Sequence, residues 1–380
     1  MHEQIYLRFF GKEISNIINN LNEKNSYLLI NQTISHYPNK NVILSQKNNS
    51  TKFYYINDFC FEKTKYLLKK ENINDTSYIT TKNAFNNKIS FGKNILEKNN
   101  IYNKTEEFLT EILIRLKLDE KINFPDYSNN LFKNQNIKDI NERHRRVVIE
   151  WLSYINHFFN KSIETLFMCI NIMDRYISKR TISLNIYQLV GISSFLIASK
   201  YEDTDSPPID KLIYISKYIY THNDIVSMEK DILETLNFDI FSVSTFHFFS
   251  YFYIICEINN KKLFYLGQLI LEICLLNIEI MSYNQSLIAL GAFLIAQKCL
   301  DIKEGINNII IFYNYTEEEI KEIQKKIILF LSNVVYNDKN NLIMDKFEKN
   351  RYMSVSHIFR YDKHYCKIHN NNDNSNISKY

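Results

Sequence analysis

The hexapeptide FLIASK at residues 195–200 returns as FLIAQK at residues 293–298, a spacing of 98 residues from Phe195 to Phe293. The first copy lies in LVGISSFLIAS (189–199), a run of apolar and small residues that offers no polar face. Such a run predicts a helix that is surrounded by other helices in a core. The repeat therefore predicts two structural units, each built around one central helix.

A second pair of landmarks recurs at nearly the same spacing. Thr221 with Asp224, and Thr316 with Glu319, have the three-residue offset of a capping box at a helix N-terminus. The two boxes lie 95 residues apart, from 221 to 316. Together with the hexapeptides they predict a duplicated five-helix unit, since two copies make a pair of domains and not a solenoid.

Apolar periodicity predicts an all-α fold of ten helices preceded by an amphipathic helix at 105–118. Six glycines and four prolines are too few for the many tight turns of an all-β fold. The first five helices are predicted at 142–159, 163–178, 184–201, 208–217 and 222–236, and the second five at 245–257, 261–277, 285–300, 306–313 and 317–335. Ser162 and Ser206 are the predicted caps of the second and fourth helices.

The chain accordingly divides into five predicted segments. An Asn- and Lys-rich extension, expected to be weakly ordered, covers 1–104, and the leading helix with its spacer covers 105–140. The two five-helix units cover 141–240 and 241–340, and a tail covers 341–380.

Composition excludes several classes of function. The formal net charge of +4 over 380 residues is small, so nucleic acid is not expected as a partner. No run of 18 uncharged apolar residues and no signal-peptide pattern directs the chain to a membrane. No phosphate-binding loop or nucleophile motif indicates an enzyme, and no cofactor is expected. Cysteines that lie singly in apolar segments favour a reducing compartment.

One short stretch has metal-binding side chains. HYCKIH (364–369) contains His364, Cys366 and His369, but it has no second ligand cluster and lies in a polar tail. A solvated tail is therefore favoured over a zinc site, and no metal is predicted.

Charged residues fall at positions where helical spacing places apolar side chains. Asp174 lies in the apolar stripe of the second helix, and Arg145 on the first helix is long enough to reach it, which predicts an internal ion pair. Glu229 lies in the stripe of the fifth helix, with Lys200 as its candidate partner. The pattern leaves open whether these two form a functional pair. Lys200 could instead interact with the C-terminus of its own helix, and Glu229 could be a solvated flank.

Several stretches together resemble the cyclin box and the C-terminal cyclin fold that follows it. The stretches are RRVVIEWL (145–152), ETLFMCINIMDRYIS (164–178), QLVGISSFLIASKYED (188–203), the prolines at 207 and 208, and MEKDILETLNFDI (228–240). MDKFEKNRYMSVS (344–356) is similar to the tail of mitotic A/B-type cyclins. The resemblance runs from the helix at 105 to about 358 and implies two tandem five-helix cyclin folds.

The resemblance implies a non-enzymatic activator of a cyclin-dependent serine/threonine kinase in cell-cycle control, present in the nucleus and the cytoplasm. A cyclin of this kind pushes in the movable kinase helix whose glutamate completes the active site. The positions that match kinase contacts are Lys200, Glu229, Ile197, Tyr201, Phe238 and, on the leading helix, Ile112. Arg145 and Asp174 match structural positions of the family.

The chain also departs from the family pattern at the candidate docking patch for substrate or inhibitor peptides. The matching positions are His144, Val147, Val148, Trp151, Tyr154 and Gln188. His144 replaces a methionine, and Tyr154 replaces an acidic residue that would meet the arginine of an Arg-x-Leu peptide. We therefore expect weak docking of such peptides, with His144 protonating near its reference pKa of about 6.5. On the leading helix, Arg115 replaces an aromatic residue.

RLKLDEKIN (115–123) fits the RxxLxxxxN pattern that times the degradation of cyclins. Its Leu116 and Leu118 belong to the predicted leading helix, and the pattern constrains three positions only. We predict that it is not the main degradation signal.

Two other readings remain. Transcription factor IIB also has two cyclin folds. A protein of that class should have a basic stripe and a zinc ribbon ahead of the folds, and neither is evident in the sequence. A transcription-type cyclin is the closer alternative, and the A/B-like leading helix and tail disfavour it.

Overall fold

The computed structural model describes residues 111–361, except for 128–130, 133, 136–139, 257, 259, 303–308, 311–312 and 339. Over these residues the regular structure is helical and contains no strand, so the predicted all-α class is confirmed. The extension at 1–104, the start of the leading helix and HYCKIH lie outside the described residues.

The first five-helix unit follows the described part of the leading helix, α1, which is helical from 111 to 119. Its helices are α2 (Glu142–Phe158), α3 (Ile163–Lys179), α4 (Leu184–Glu202), α5 (Ile209–Ile215) and α6 (His222–Thr235). Ser162 caps α3 as predicted, by accepting a hydrogen bond from the Thr165 amide. The prediction for Ser206 is wrong, because Pro208 occupies the N-cap of α5, which has no side-chain cap.

The second unit has the same central arrangement with one added turn. Its described helices are α7 (Thr245–Ile255), α8 (Lys261–Cys274), α9 (Ile278–Met281), α10 (Gln285–Cys299) and α11 (Glu317–Asn337). The tail forms α12 (Leu342–Glu348), a 3-10 turn at Asn350–Tyr352 and α13 (His357–Tyr361). Helix α8 is shorter than predicted because Asn277 starts α9 by accepting a hydrogen bond from the Ile280 amide. In the predicted helix at 306–313, the described residues 309, 310 and 313 are helical.

The two hexapeptides lie in α4 and α10, the central helices of their units. Every residue from 187 to 199 in α4 is buried, and α4 packs against α2, α3 and α6. Helix α10 packs in the same way against α7, α8 and α11. At Gly191 an added Cβ would lie 3.1 Å from Val148 Cγ1, so the glycine allows α2 to pack closely on α4.

Both predicted capping boxes are present. The Thr221 amide donates to the Asp224 carboxylate over 2.8 Å, and the Thr316 amide donates to Glu319 over the same distance. Each box fixes the start of the last helix of its unit, α6 or α11, against the central helix.

Arg145 links α2 to α3 and to the second unit. Its Nε and Nη2 donate to the two Asp174 carboxylate oxygens over 2.9 and 2.7 Å, and neither side chain is exposed to solvent. Nη1 donates to the Leu275 carbonyl over 2.6 Å, and the Tyr127 hydroxyl donates to Asp174 over 2.9 Å. Burial alone would lower the pKa of Arg145, but the Asp174 carboxylate raises it above its ordinary value, so the guanidinium stays charged.

A second buried ion pair attaches the tail. Lys346 on α12 donates to both carboxylate oxygens of Glu272 on α8, over 2.7 and 2.5 Å, and to the Ser153 hydroxyl on α2 over 3.0 Å. Burial lowers the pKa of Lys346, although Glu272 opposes that shift. The network therefore connects α2, α8 and α12. Removal of one of its buried polar groups would leave the others with fewer hydrogen-bond partners.

Among the described residues, none of the helices has the length and apolarity needed to cross a bilayer. The same residues contain no cluster of three His, Cys, Asp or Glu side chains that could hold a metal ion.

Candidate functional site

Lys200 and Glu229 meet on the surface where the end of α4 packs against α6. The Lys200 ammonium donates to the two Glu229 carboxylate oxygens over 2.6 and 2.9 Å. The Lys200 side chain is 47% exposed and that of Glu229 is 14% exposed. An ammonium has three donor hydrogens, so a partner's carbonyl oxygen can be bonded while the pair persists. The structure thus contains the ion pair between these two residues, and its functional role stays a prediction.

Three other residues of the predicted kinase-contact set lie on α4 or just after α6. Ile197, one turn before Lys200, is almost fully buried, and Tyr201 is half-buried. Phe238 follows the end of α6 and is 67% exposed. Asn237 and Phe238 have φ angles of 52° and 58°, in the left-handed region that bulky residues rarely adopt.

The turn that presents Phe238 is held by side chains from elsewhere in the chain. Arg175 on α3 donates to the Asp239 carbonyl over 2.8 Å and to the Asn123 side-chain oxygen over 3.0 Å. Asn123 donates in turn to the Asp239 carboxylate over 2.7 Å and to the Phe241 carbonyl over 2.8 Å. These bonds fix the residues next to Phe238. Neither Arg175 nor Asn123 was predicted to have this role.

The leading helix is fixed to the second unit. Lys117 donates to the Tyr315 hydroxyl over 2.9 Å, and the Glu120 carboxylate accepts from the Ser286 amide at the start of α10 over 2.6 Å. On the same helix Ile112 is half-buried, and Arg115 is paired with Asp119 over 2.7 Å. The remaining surface of Ile112 is open to a partner.

Two family models match nearly the whole described region. The model described as "Cyclin, N-terminal domain" matches residues 111–241, and the model described as "Cyclin, C-terminal domain" matches residues 243–360. The chain belongs to the cyclin family. The resemblance inferred from the sequence is confirmed, and so are the two tandem cyclin folds.

Several similar curated proteins are B-type cyclins. Cyclin-B2-1 of Arabidopsis thaliana is 33% identical over 191 residues, which cover 50% of this chain and 44% of that protein. The G2/mitotic-specific cyclin-B2 of Rana japonica is 33% identical over 219 residues, which cover 57% of this chain and 56% of that protein. The match thus spans about half the length of these relatives. A crystal structure of a viral cyclin from herpesvirus saimiri aligns with a TM-score of 0.51 at 20% identity, over 57% of this chain and 96% of that one. It supports the fold.

The candidate docking patch of this cyclin is only partly accessible. Val148, Trp151 and Gln188 are buried between α2 and α4, with at most 4% of each residue exposed. Val147 and Tyr154 are half-buried, and burial raises the pKa of Tyr154 above its ordinary value. The accessible edge of the patch, at Val147 and Tyr154, therefore offers no carboxylate to the arginine of a docked peptide.

His144 differs from the prediction. It was expected to protonate near its reference pKa, but burial and the nearby Arg143 guanidinium lower the pKa of His144 below 6.5. The imidazole is therefore neutral at pH 7, and His144 does not add a positive charge to the rim of the patch there.

Proposed function

We propose that this cyclin is the regulatory subunit of a cyclin-dependent serine/threonine kinase, which it binds and activates without catalytic chemistry of its own. The observation that supports the proposal is the Lys200–Glu229 pair, which, with the half-buried Tyr201 and the exposed Phe238, occupies positions that resemble the kinase contacts of the family. The names of the B-type relatives support a role in mitosis.

The geometry suits recognition of a helix end and its neighbouring backbone. Lys200 supplies a donor for a kinase carbonyl, and Glu229 supplies acceptors for kinase amides. Phe238 needs little reorganisation before it packs on an apolar partner, since bonds from Arg175 and Asn123 already hold its turn. A surface that fits the inward position of the movable kinase helix stabilises the active state by population shift.

The test uses the full chain and the kinase that co-purifies with it, identified by mass spectrometry and then produced alone. We expect Lys200→Glu and Glu229→Lys each to abolish most kinase activation, because each places a like charge at the contact at a cost of several kcal/mol. The double variant restores a pair of opposite charges on the cyclin but reverses its polarity. It should be as stably folded as the wild type by circular dichroism and still fail to activate the kinase.

A matched control lies in the second fold. Lys298 repeats Lys200, but Cys299, Leu300 and Asp301 follow it in place of Tyr201, Glu202 and Asp203. Lys298→Glu should leave kinase activation within about twofold of the wild type, since solvent-exposed charges away from a contact contribute little. Full activation by the Lys200→Glu or Glu229→Lys variant would refute the assignment of this surface.

We also propose that the protein acts in the nucleus and the cytoplasm. Imaging of a fluorescent fusion through the cell cycle tests this, and a fusion confined to any other compartment would contradict it.

A further inference from the structure

Two exposed cations of the tail are held at the C-terminal end of α2. Lys349 donates to Nε2 of His157 over 3.3 Å, and Arg351 donates to the side-chain oxygen of Asn160 over 2.6 Å. Because an ammonium has no lone pair, Nε2 is the acceptor of the first bond. Nδ1 of His157 therefore carries the hydrogen, which it donates to the Tyr352 hydroxyl over 2.9 Å. The imidazole is neutral in this arrangement.

Both cations are thus positioned by neutral groups. Within the part of the chain that the structure describes, neither Lys349 nor Arg351 forms a salt bridge. Asp345 attracts Lys349 from a greater distance, but its carboxylate already pairs with Arg360 over 2.6 Å. Burial, and after it the field of the nearby cations, lowers the pKa of His157 to about 4. The surface therefore has a positive charge that is not compensated.

The cations border the accessible edge of the candidate docking patch. His157 lies three residues after Tyr154, so the two side chains are neighbours on the surface of α2. Phe158 is 44% exposed, and its ring stacks on Tyr154 with the centroids 6.4 Å apart. Exposed aromatic surface and positive charge thus adjoin each other. Together they form the tail–α2 surface, which consists of Phe158, Asn160, Lys349 and Arg351.

We propose that the tail–α2 surface docks a segment of a partner protein that carries at least two Asp or Glu side chains beside an apolar residue. Lys349 has further ammonium hydrogens, and Arg351 has further guanidinium donors, for carboxylate oxygens. The two cations are anchored at separate places, so they match two carboxylates better than a single phosphate. This preference is opposite in charge to that of an Arg-x-Leu peptide.

The chain itself is a poorer source of such a segment. Residues 362–380 contain three lysines and two aspartates, so their net charge would add to that of the surface. A second copy of the chain would bring a formal net charge of +4. Charge complementarity therefore favours a different, acidic partner. The proposal concerns the cyclin alone and does not depend on kinase activation.

The test is a selection of short displayed peptides on the immobilised full chain. Recovered peptides are synthesised with a fluorescent label and titrated by anisotropy. We expect one family of peptides to share at least two Asp or Glu residues next to an aromatic or aliphatic residue. Lys349→Glu and Arg351→Glu should each weaken the binding of this family by about tenfold or more, and added salt should weaken it further. Peptides with lysine in place of their acidic residues should bind the Lys349→Glu/Arg351→Glu variant.

Two sets of variants serve as controls. Lys349→Gln/Arg351→Gln removes the charge from exposed positions without adding repulsion, and it should weaken peptide binding while thermal melts stay unchanged. Lys200→Glu should leave peptide affinity unchanged while it removes kinase activation, whereas Lys349→Glu should preserve that activation. The two proposals can thus fail separately.

Several results would overturn the proposal. They are no enrichment of peptides, recovered families that all lack acidic residues, and families that all bind the wild type and the Lys349→Glu/Arg351→Glu variant equally. Tighter binding by about tenfold when one phosphoserine replaces the acidic residues would make the ligand a phosphate. Competition by a synthetic 362–380 peptide would make the chain's own tail the occupant. A dimer that the double variant dissociates, measured by sedimentation, would make it a second copy.

Discussion

Replacement of Arg145 by methionine should be among the most destabilising single changes in the chain. Arg145 makes two bonds to Asp174 and one to the Leu275 carbonyl, and both charged side chains are fully buried. Methionine preserves much of the side-chain volume but removes all three donors. The variant leaves the Asp174 carboxylate buried with one remaining bond, from the Tyr127 hydroxyl.

The magnitude follows from these lost bonds. Removing one member of a buried ion pair costs about 3–5 kcal/mol, because the other charge stays uncompensated. The Leu275 carbonyl adds about 1 kcal/mol or more as an unsatisfied buried acceptor. We expect a loss of about 4–6 kcal/mol in the free energy of unfolding, which is a large share of the 5–15 kcal/mol typical of a folded protein.

Equilibrium unfolding in urea, followed by far-UV circular dichroism, measures this loss. The informative comparison is with the double variant Arg145→Met/Asp174→Leu, which removes both charges and should recover most of the lost stability. If Arg145→Met costs less than about 1 kcal/mol, or if the double variant is no more stable than the single one, the buried pair does not have the energetic role assigned to it.

Three further outcomes are expected. Tyr154→Glu should raise the affinity for a labelled Arg-x-Leu peptide by about tenfold to a hundredfold, since a charge-assisted bond is worth about 1.5–3 kcal/mol. Low-micromolar binding by the wild type with no gain in the variant would contradict this expectation. Burial, with Asp338 nearby, raises the pKa of Glu150 from 4.5 to about 8, so the stability contributed by its protonated form is complete below pH 4.5 and lost as the pH rises through 8. Glu150→Gln should therefore stabilise the protein by about 1–2 kcal/mol above pH 8 and have no effect near pH 4, as thermal melts at both pH values would show. Arg115→Ala with Leu118→Ala should leave regulated turnover intact in a chase experiment, because both residues belong to a folded helix; stabilised protein with unchanged kinase binding would reverse this view.

Helix bounds in the first fold were predictable to within two residues because local chemistry sets them. Ser162 and the Thr221–Asp224 box form hydrogen bonds with groups no more than three residues away along the chain. The residues that set these helix starts are therefore recognisable in the sequence. The prolines at 207 and 208 mark the start of α5 as predicted. Pro208, however, occupies the N-cap position that was predicted for Ser206.

Contacts between distant segments were predictable only where a charge interrupted an apolar stripe. Asp174 gave such a signal, and Glu272 in LILEICLL interrupts an apolar run in the same way. Its partners Ser153 and Lys346 lie 119 and 74 residues away. The bond from Arg145 to the Leu275 carbonyl had no signal, because every residue has a backbone acceptor.

Polar connections that include bonds from α2, α12 and the leading helix join the two cyclin folds. Arg145 bonds the Leu275 carbonyl, Lys346 bridges Glu272 to Ser153, and the leading helix bonds the Ser286 amide through Glu120. Directional bonds restrain the relative orientation of the two folds more than apolar packing alone would. Arg145→Met removes the bond to the Leu275 carbonyl, so it should loosen the relative orientation of the two folds as well as lower the stability of the protein.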